Sequence, residues 1–147
     1  MNSIIYQFLN EPRRLRRKLE EVNSKIEDLR ATMLPGAIRY DKDSVMCSPE
    51  DNMVEYAIRF EPLAKERDMT MREYERAYAE IMDALEHLTY KQKTVILMKY
   101  LDGLSNTQIS QKLGIDKRNV LRLCDRAYET LLDDMLTATS RIKYNAI

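Results

Sequence analysis

Lys117, Arg118, Asn119, Arg122 and Arg126 crowd into one short stretch of the sequence. On a helix of 3.6 residues per turn, Arg118, Arg122 and Arg126 lie on one side, with Lys117 and Asn119 flanking them at its start. Guanidinium and ammonium groups neutralise phosphate or donate to guanine edges, and an asparagine amide matches adenine. A few residues upstream, Ser105, Asn106 and Thr107 stand where another helix opens. Free N–H groups at such a helix start attract a phosphate. This set recognises anions and base edges, and it breaks no covalent bond.

Other chemistry finds little material. His87 is the only histidine and stands at a helix end beside Leu88, where a solvated or capping role is expected. No serine or cysteine motif couples to it as a catalytic triad requires. The three glycines are isolated, so no phosphate-cradling loop exists. Cys47 and Cys124 are far apart and neither belongs to a CxxC pair, which is read as a reduced chain. Cys124, beside Leu123, is expected to pack inward. No metal, no cofactor and no enzymatic activity are expected.

The basic side chains need a scaffold, and three start signals supply one. Thr89-x-x-Gln92 matches a capping box and opens a helix carrying Val95, Ile96 and Met98, with Tyr100 and Leu101 beyond, which Gly103 stops. Ser105-x-x-Gln108 is a second capping box and opens a short helix through Leu113, with Ile109 and Leu113 on its apolar side. Gly114-Ile115 forms the tight turn, and Asp116 caps the last helix. Val120, Leu123, Ala127 and Leu131 are its expected buried stripe. A short packed helix, a glycine turn and a second helix with a polar N-terminal face make a helix-turn-helix, whose second helix enters the major groove of double-stranded DNA.

Charge is distributed accordingly. The 147-residue chain is neutral, with 24 basic and 24 acidic residues, but from Leu88 to Leu131 eight basic residues face four acidic ones. That local excess favours phosphate. Glycine and proline are scarce, at three and four residues, and the many turns of a β-rich fold need both.

The N-terminal part reads as helical too. Met1–Leu9 is a short apolar stretch, read either as a helical turn or as an arm packing on another subunit. Asn10 is a candidate cap, with Pro12 in the first turn. Leu15, Leu19, Val22, Ile26, Leu29 and Met33 then keep a heptad seam until Pro35-Gly36. Residues 37–47 lack helical period and read as a loop, with extended pieces at Ile38–Tyr40 and Val45–Cys47. Ser48-Pro49-Glu50-Asp51 is a helix start. Met53, Tyr56, Phe60, Leu63, Tyr74, Tyr78, Ile81, Leu85 and Leu88 form the next stripe, interrupted by Arg67 and Thr70. Pro62 and the box Thr70-x-x-Glu73 leave open one kinked helix or two. The two seams pack as a helical hairpin or pair between subunits. Arg13, Arg14, Arg16, Arg17 and Lys18, balanced by Glu11, Glu20 and Glu21, read as a solvated face rather than a second DNA contact.

The stretch LTYKQKTVILMKYLDGLSNTQISQKLGIDKRNVLRLCDRAYETL resembles region 4 of bacterial primary sigma factors. The marks are KYLDGLS, then IS..LGI, then V..L...A...L along the last helix. Ser110 stands where the family usually has alanine, and Asp116 where it often has serine or threonine. The resemblance places the base-contacting positions on Lys117, Arg118 and Arg122. The whole chain resembles small phage-encoded transcription regulators of the ArpU and RinA type, on its helical N-terminal part and the loop DKDSVMCSPED.

The expectation is an all-α protein. A long helical hairpin or coiled-coil element at residues 1–88, for oligomerisation or partner binding, precedes a helix-turn-helix domain at 89–147. The resemblance implies a phage transcription regulator, binding double-stranded DNA and working with RNA polymerase. Residues 1–88 contain no aromatic- and basic-rich stretch of the kind that melts promoters, so a complete sigma factor is not expected. A small terminase-like packaging protein would combine the same elements, and a polymerase-binding module that never touches DNA is a third reading. A homo-oligomer, a dimer first, is expected. No signal peptide and no apolar run long enough to span a membrane are seen, and the expected location is cytoplasmic.

Overall fold

The computed structural model describes residues 3–33 and 49–145, and these form five helices: α1 Ser3–Met33, α2 Pro49–Leu85, α3 Tyr90–Tyr100, α4 Asn106–Leu113 and α5 Lys117–Asn145. The protein is all-α, as the turn-poor composition requires. The expected loop at 37–47, the stop at Pro35-Gly36, the cap at Ser48 and Cys47 lie outside the described residues. Among the described residues no helix is long and apolar enough to cross a membrane.

The chain divides into two compact units, Met1–Arg13 with Arg76–Ile147, and Arg14–Glu75. The first carries the helix-turn-helix. Its larger core joins Ile5 and Leu9 of α1 to Ile81 and Leu85 of α2, Leu88, Ile96 and Tyr100 of α3, and Ala127 and Leu131 of α5. The apolar stretch before Asn10 is helical from Ser3 onwards, and Ile5 and Leu9 are fully buried within their own chain. A smaller core joins Val95, Ile109, Val120 and Cys124. Adjacent residues Val95 and Ile96 thus serve different cores, and α3 is wedged between them.

The start of α1 departs from expectation. Asn10 does not cap it; the helix begins at Ser3 and runs through Pro12, and Asn10 Nδ2 donates to the Tyr6 carbonyl at 2.9 Å. A proline inside a helix forfeits one backbone hydrogen bond and crowds the carbonyl four residues earlier. Here the helix is held on both sides of that defect, because Leu9, Pro12 and Leu15 are all buried.

In the second unit, Leu15, Val22 and Ile26 are buried and Leu19, Leu29 and Met33 partly so, so the heptad seam is occupied within one chain. Leu29 and Met33 of α1 line a shallow open pocket together with Pro62 and Leu63 of α2. The segments therefore lie side by side, as a hairpin demands. Helix α2 is single: Thr70 does not restart it. Thr70 is buried in mid-helix and its hydroxyl donates to the Glu66 carbonyl at 2.7 Å, which satisfies a group that burial would otherwise orphan. Two members of the expected α2 stripe, Met53 and Tyr78, prove exposed. Over so long a helix a strict stripe drifts around the axis.

Candidate nucleic-acid interface

The α3–α4–α5 arrangement is built from its caps. Thr89 and Ser105 each accept a hydrogen bond from the backbone N–H three residues on, while Gln92 and Gln108 reach back to the cap N–H. Both predicted capping boxes therefore form. At α4 the box has a consequence for ligands. It occupies the N–H groups of Ser105 (2.9 Å to Gln108 Oε1) and Gln108 (3.2 Å to Ser105 Oγ). Four N–H groups at a helix start lack intrahelical partners, so those of Asn106 and Thr107 remain to receive an anion.

Helix α4 ends on Gly114, whose φ of 66° and ψ of 30° place it in the left-handed region. The N–H groups of Gly114 and Ile115 both donate to the Ser110 carbonyl, at 3.0 and 3.2 Å. Ser110 Oγ in turn donates to the Ile115 carbonyl at 2.6 Å. Ser110 thus ties the two sides of the turn together, an interaction alanine cannot make. Asp116 precedes α5, and its carbonyl accepts from the N–H groups of Asn119 and Val120.

Helix α5 divides into two faces. Val120, Cys124, Ala127 and Leu131 are buried. Leu123, expected in this stripe, is only partly buried at the margin of the smaller core, and Cys124 takes the inner place. Positions 120, 124, 127 and 131 repeat at four, three and four, the spacing that keeps one face inward. Lys117, Arg118, Asn119, Arg122 and Arg126 are all exposed on the remaining surface. Ser105 and Thr107 are exposed as well. Asn106 is partly buried, and its Oδ1 is buried without a hydrogen-bond partner among the described residues. Of the eight predicted positions, its side chain is the least open to a ligand. All eight belong to one compact unit.

Behind this surface lies a small polar cluster. Tyr100 Oη and Tyr128 Oη are 2.6 Å apart, with the rings edge to face at 6.4 Å between centroids. Burial pushes both phenols above their ordinary range. Tyr128 is pushed further, because its hydroxyl also holds hydrogen bonds to Tyr100 and Cys124 that favour the neutral form. Burial likewise raises the Cys124 thiol, so it is an apolar filler and not a reactive thiolate. Lys99 Nζ stands 5.9 Å from the centre of the Tyr100 ring. His87 is exposed, in keeping with a solvated role, and its Nδ1 meets Asp134 Oδ2 at 2.9 Å, tying the turn after α2 to α5. Sequence spacing offered no signal for this pair, 47 residues apart.

The connection from α3 to α4 contains a second left-handed glycine, Gly103, with φ of 70°. Leu104 N–H donates back to the Met98 carbonyl at 3.0 Å and closes the bend. The guanidinium of Arg13, from α1, lies over this bend: a methyl group placed on Gly103 would stand 3.1 Å from Nη2 and 3.3 Å from Cζ.

Comparison with known proteins agrees with the geometry. Residues 78–131 match the family described as Sigma-70, region 4. The match begins in the last turns of α2, takes in α3 and α4, and ends halfway along α5. It covers less than half of the chain and leaves α1 outside. No curated protein and no solved structure matches the chain.

Proposed function

We propose that this protein is a phage- or prophage-encoded, sequence-specific DNA-binding regulator of transcription that activates phage genes together with host RNA polymerase. One observation carries the DNA-binding part: five exposed side chains, Lys117, Arg118, Asn119, Arg122 and Arg126, project from the outer face of α5 in a segment similar to sigma region 4. In this reading α5 enters the major groove. Lys117, Arg118 and Arg122 read base edges, Asn119 reads adenine or phosphate, and Arg126 reaches the backbone. Ser105 and Thr107, with the N–H groups of Asn106 and Thr107, hold a phosphate from the other side of the turn. The role is one of binding and not of catalysis. The phage setting and the activating role rest on the resemblance in sequence to phage regulators, carried by the helical pattern of the N-terminal part and the loop DKDSVMCSPED, and a dimer is the assembly that fits a two-fold operator.

The test is a footprint across phage DNA followed by binding of Lys117→Ala and Arg122→Ala. Each should lose about 1–3 kcal/mol on the footprinted site and much less on random duplex. Equal losses on both DNAs would remove base readout and leave phosphate contact alone. Light scattering belongs beside it: a large ring would replace regulation with DNA packaging, whereas a dimer is the result expected here.

A further inference from the structure

Among the exposed basic residues of α1, Arg13 has a particular position. It is the last residue of the N-terminal segment that folds into the same unit as the helix-turn-helix. Its backbone is held firmly, since Leu9, Pro12 and Leu15 around it are buried. Its guanidinium rests on Gly103, with both terminal nitrogens within 3.6 Å of where a methyl group would be. Gly103 precedes by two residues Ser105, the cap of α4, and by three Asn106, whose N–H the capping box leaves open. At about 3.8 Å per residue the guanidinium therefore stands at most about 15 Å from the open N–H group of Asn106.

Arg13 is exposed, and no carboxylate lies within ion-pair distance of it among the described residues, although Asp102 neighbours Gly103 in sequence. Arg16, one turn further, is by contrast paired with Glu20 at 3.6 Å. An arginine anchored at its base, unpaired at its tip and resting on the bend that leads into α4 has the geometry for a planar, two-pronged grip on phosphate.

We infer that Arg13 is part of the DNA interface: it binds a backbone phosphate beside the one held at the start of α4. This extends the interface past the segment similar to sigma region 4 and assigns to α1 a direct contact with nucleic acid. Glycine at position 103 follows from its left-handed backbone, and a Cβ there would also press on the guanidinium. The inference rests on the DNA-binding reading of α5, and its test separates the two.

The competing role for Arg13 is structural, a cation near the last carbonyls of α3. The full-length chain is titrated with a random-sequence DNA duplex over a range of salt concentrations, and its melting temperature is followed in parallel. Arg13→Ala should lower affinity roughly three- to tenfold at physiological salt, and the slope of log K against log salt should fall by about 0.9, the value of one phosphate contact. Arg13→Lys should restore most of the slope, and Arg16→Ala should leave it at the wild-type value. An unchanged slope in Arg13→Ala overturns the inference, and if the melting temperature then falls, Arg13 is a helix-end cation. Should Lys117→Ala and Arg122→Ala weaken binding to the footprinted site while Arg13→Ala leaves affinity and salt slope unchanged on both DNAs, this inference alone fails. Should the wild-type chain not bind the duplex at all, both fail.

Discussion

At the scale of single residues, the basic outer face of α5 depends on groups buried behind it. Tyr128 packs against both cores and bonds to Tyr100 across the junction of α3 and α5. Both phenols titrate above the usual 10 because burial disfavours the phenolate. The folded state therefore holds protons that the unfolded chain releases above about pH 10, so stability is fully present below that pH and falls as pH rises through it. Tyr128→Phe should lose about 1 kcal/mol near neutral pH, the net value of a hydrogen bond. It should also show a shallower alkaline decline, since one buried phenol fewer resists titration. Urea unfolding between pH 7 and 11 measures both, and an alkaline limb identical to wild type would show that Tyr128 titrates as if exposed. The exposed basic residues were readable directly from their types and spacing. The Tyr100–Tyr128 and His87–Asp134 pairs were not, because partners 28 and 47 residues apart leave no local pattern.

At the scale of elements, caps were the most legible feature. A capping box is a contact between residues three apart, so Thr89–Gln92 and Ser105–Gln108 could be read without any fold. The same pattern at Thr70-x-x-Glu73 misleads, because a hydroxyl in mid-helix can instead bond to the carbonyl four residues earlier. Burial of Thr70 within a continuous α2 decides between the two. Thr70→Val should accordingly keep stability to within about 0.5 kcal/mol, or raise it slightly, since the Glu66 carbonyl retains its helical N–H partner. A cap at this position would lose about 1 kcal/mol. Denaturant melts of the variant decide it, and a loss of the larger size would restore two helices in place of one. Asn10 teaches a related point. Its cap chemistry and Pro12 together resemble a helix start, yet apolar burial on both sides of the proline carries α1 straight through.

At the scale of the whole molecule, the helix-turn-helix is completed by residues far from it in sequence. Ile5 and Leu9 contribute to the core that supports α3 and α5. Leu9→Ala should therefore destabilise this unit by about 2–5 kcal/mol, the usual effect of emptying a buried leucine site. It should reduce protection from hydrogen exchange in α3 and α5, which share this core with Leu9. If exchange in those helices keeps its wild-type rates, the N-terminal segment is not part of their support. The Arg13 inference belongs to the same scale, since it follows from α1 being folded into the DNA-binding unit.

The helical class, the two capping boxes, the glycine turn at Gly114 and the basic outer face of α5 were all determined by sequence alone. Each depends on interactions within a turn or two of helix, where spacing is itself geometry. The tertiary structure alone decided that Ile5 and Leu9 complete the C-terminal core, that Leu123 sits only at the margin of the smaller core, and that Arg13 lies over Gly103. These outcomes depend on which apolar faces meet across long intervals of chain. Helical periodicity marks a face for burial, but many partners satisfy it equally well, and only packing selects one.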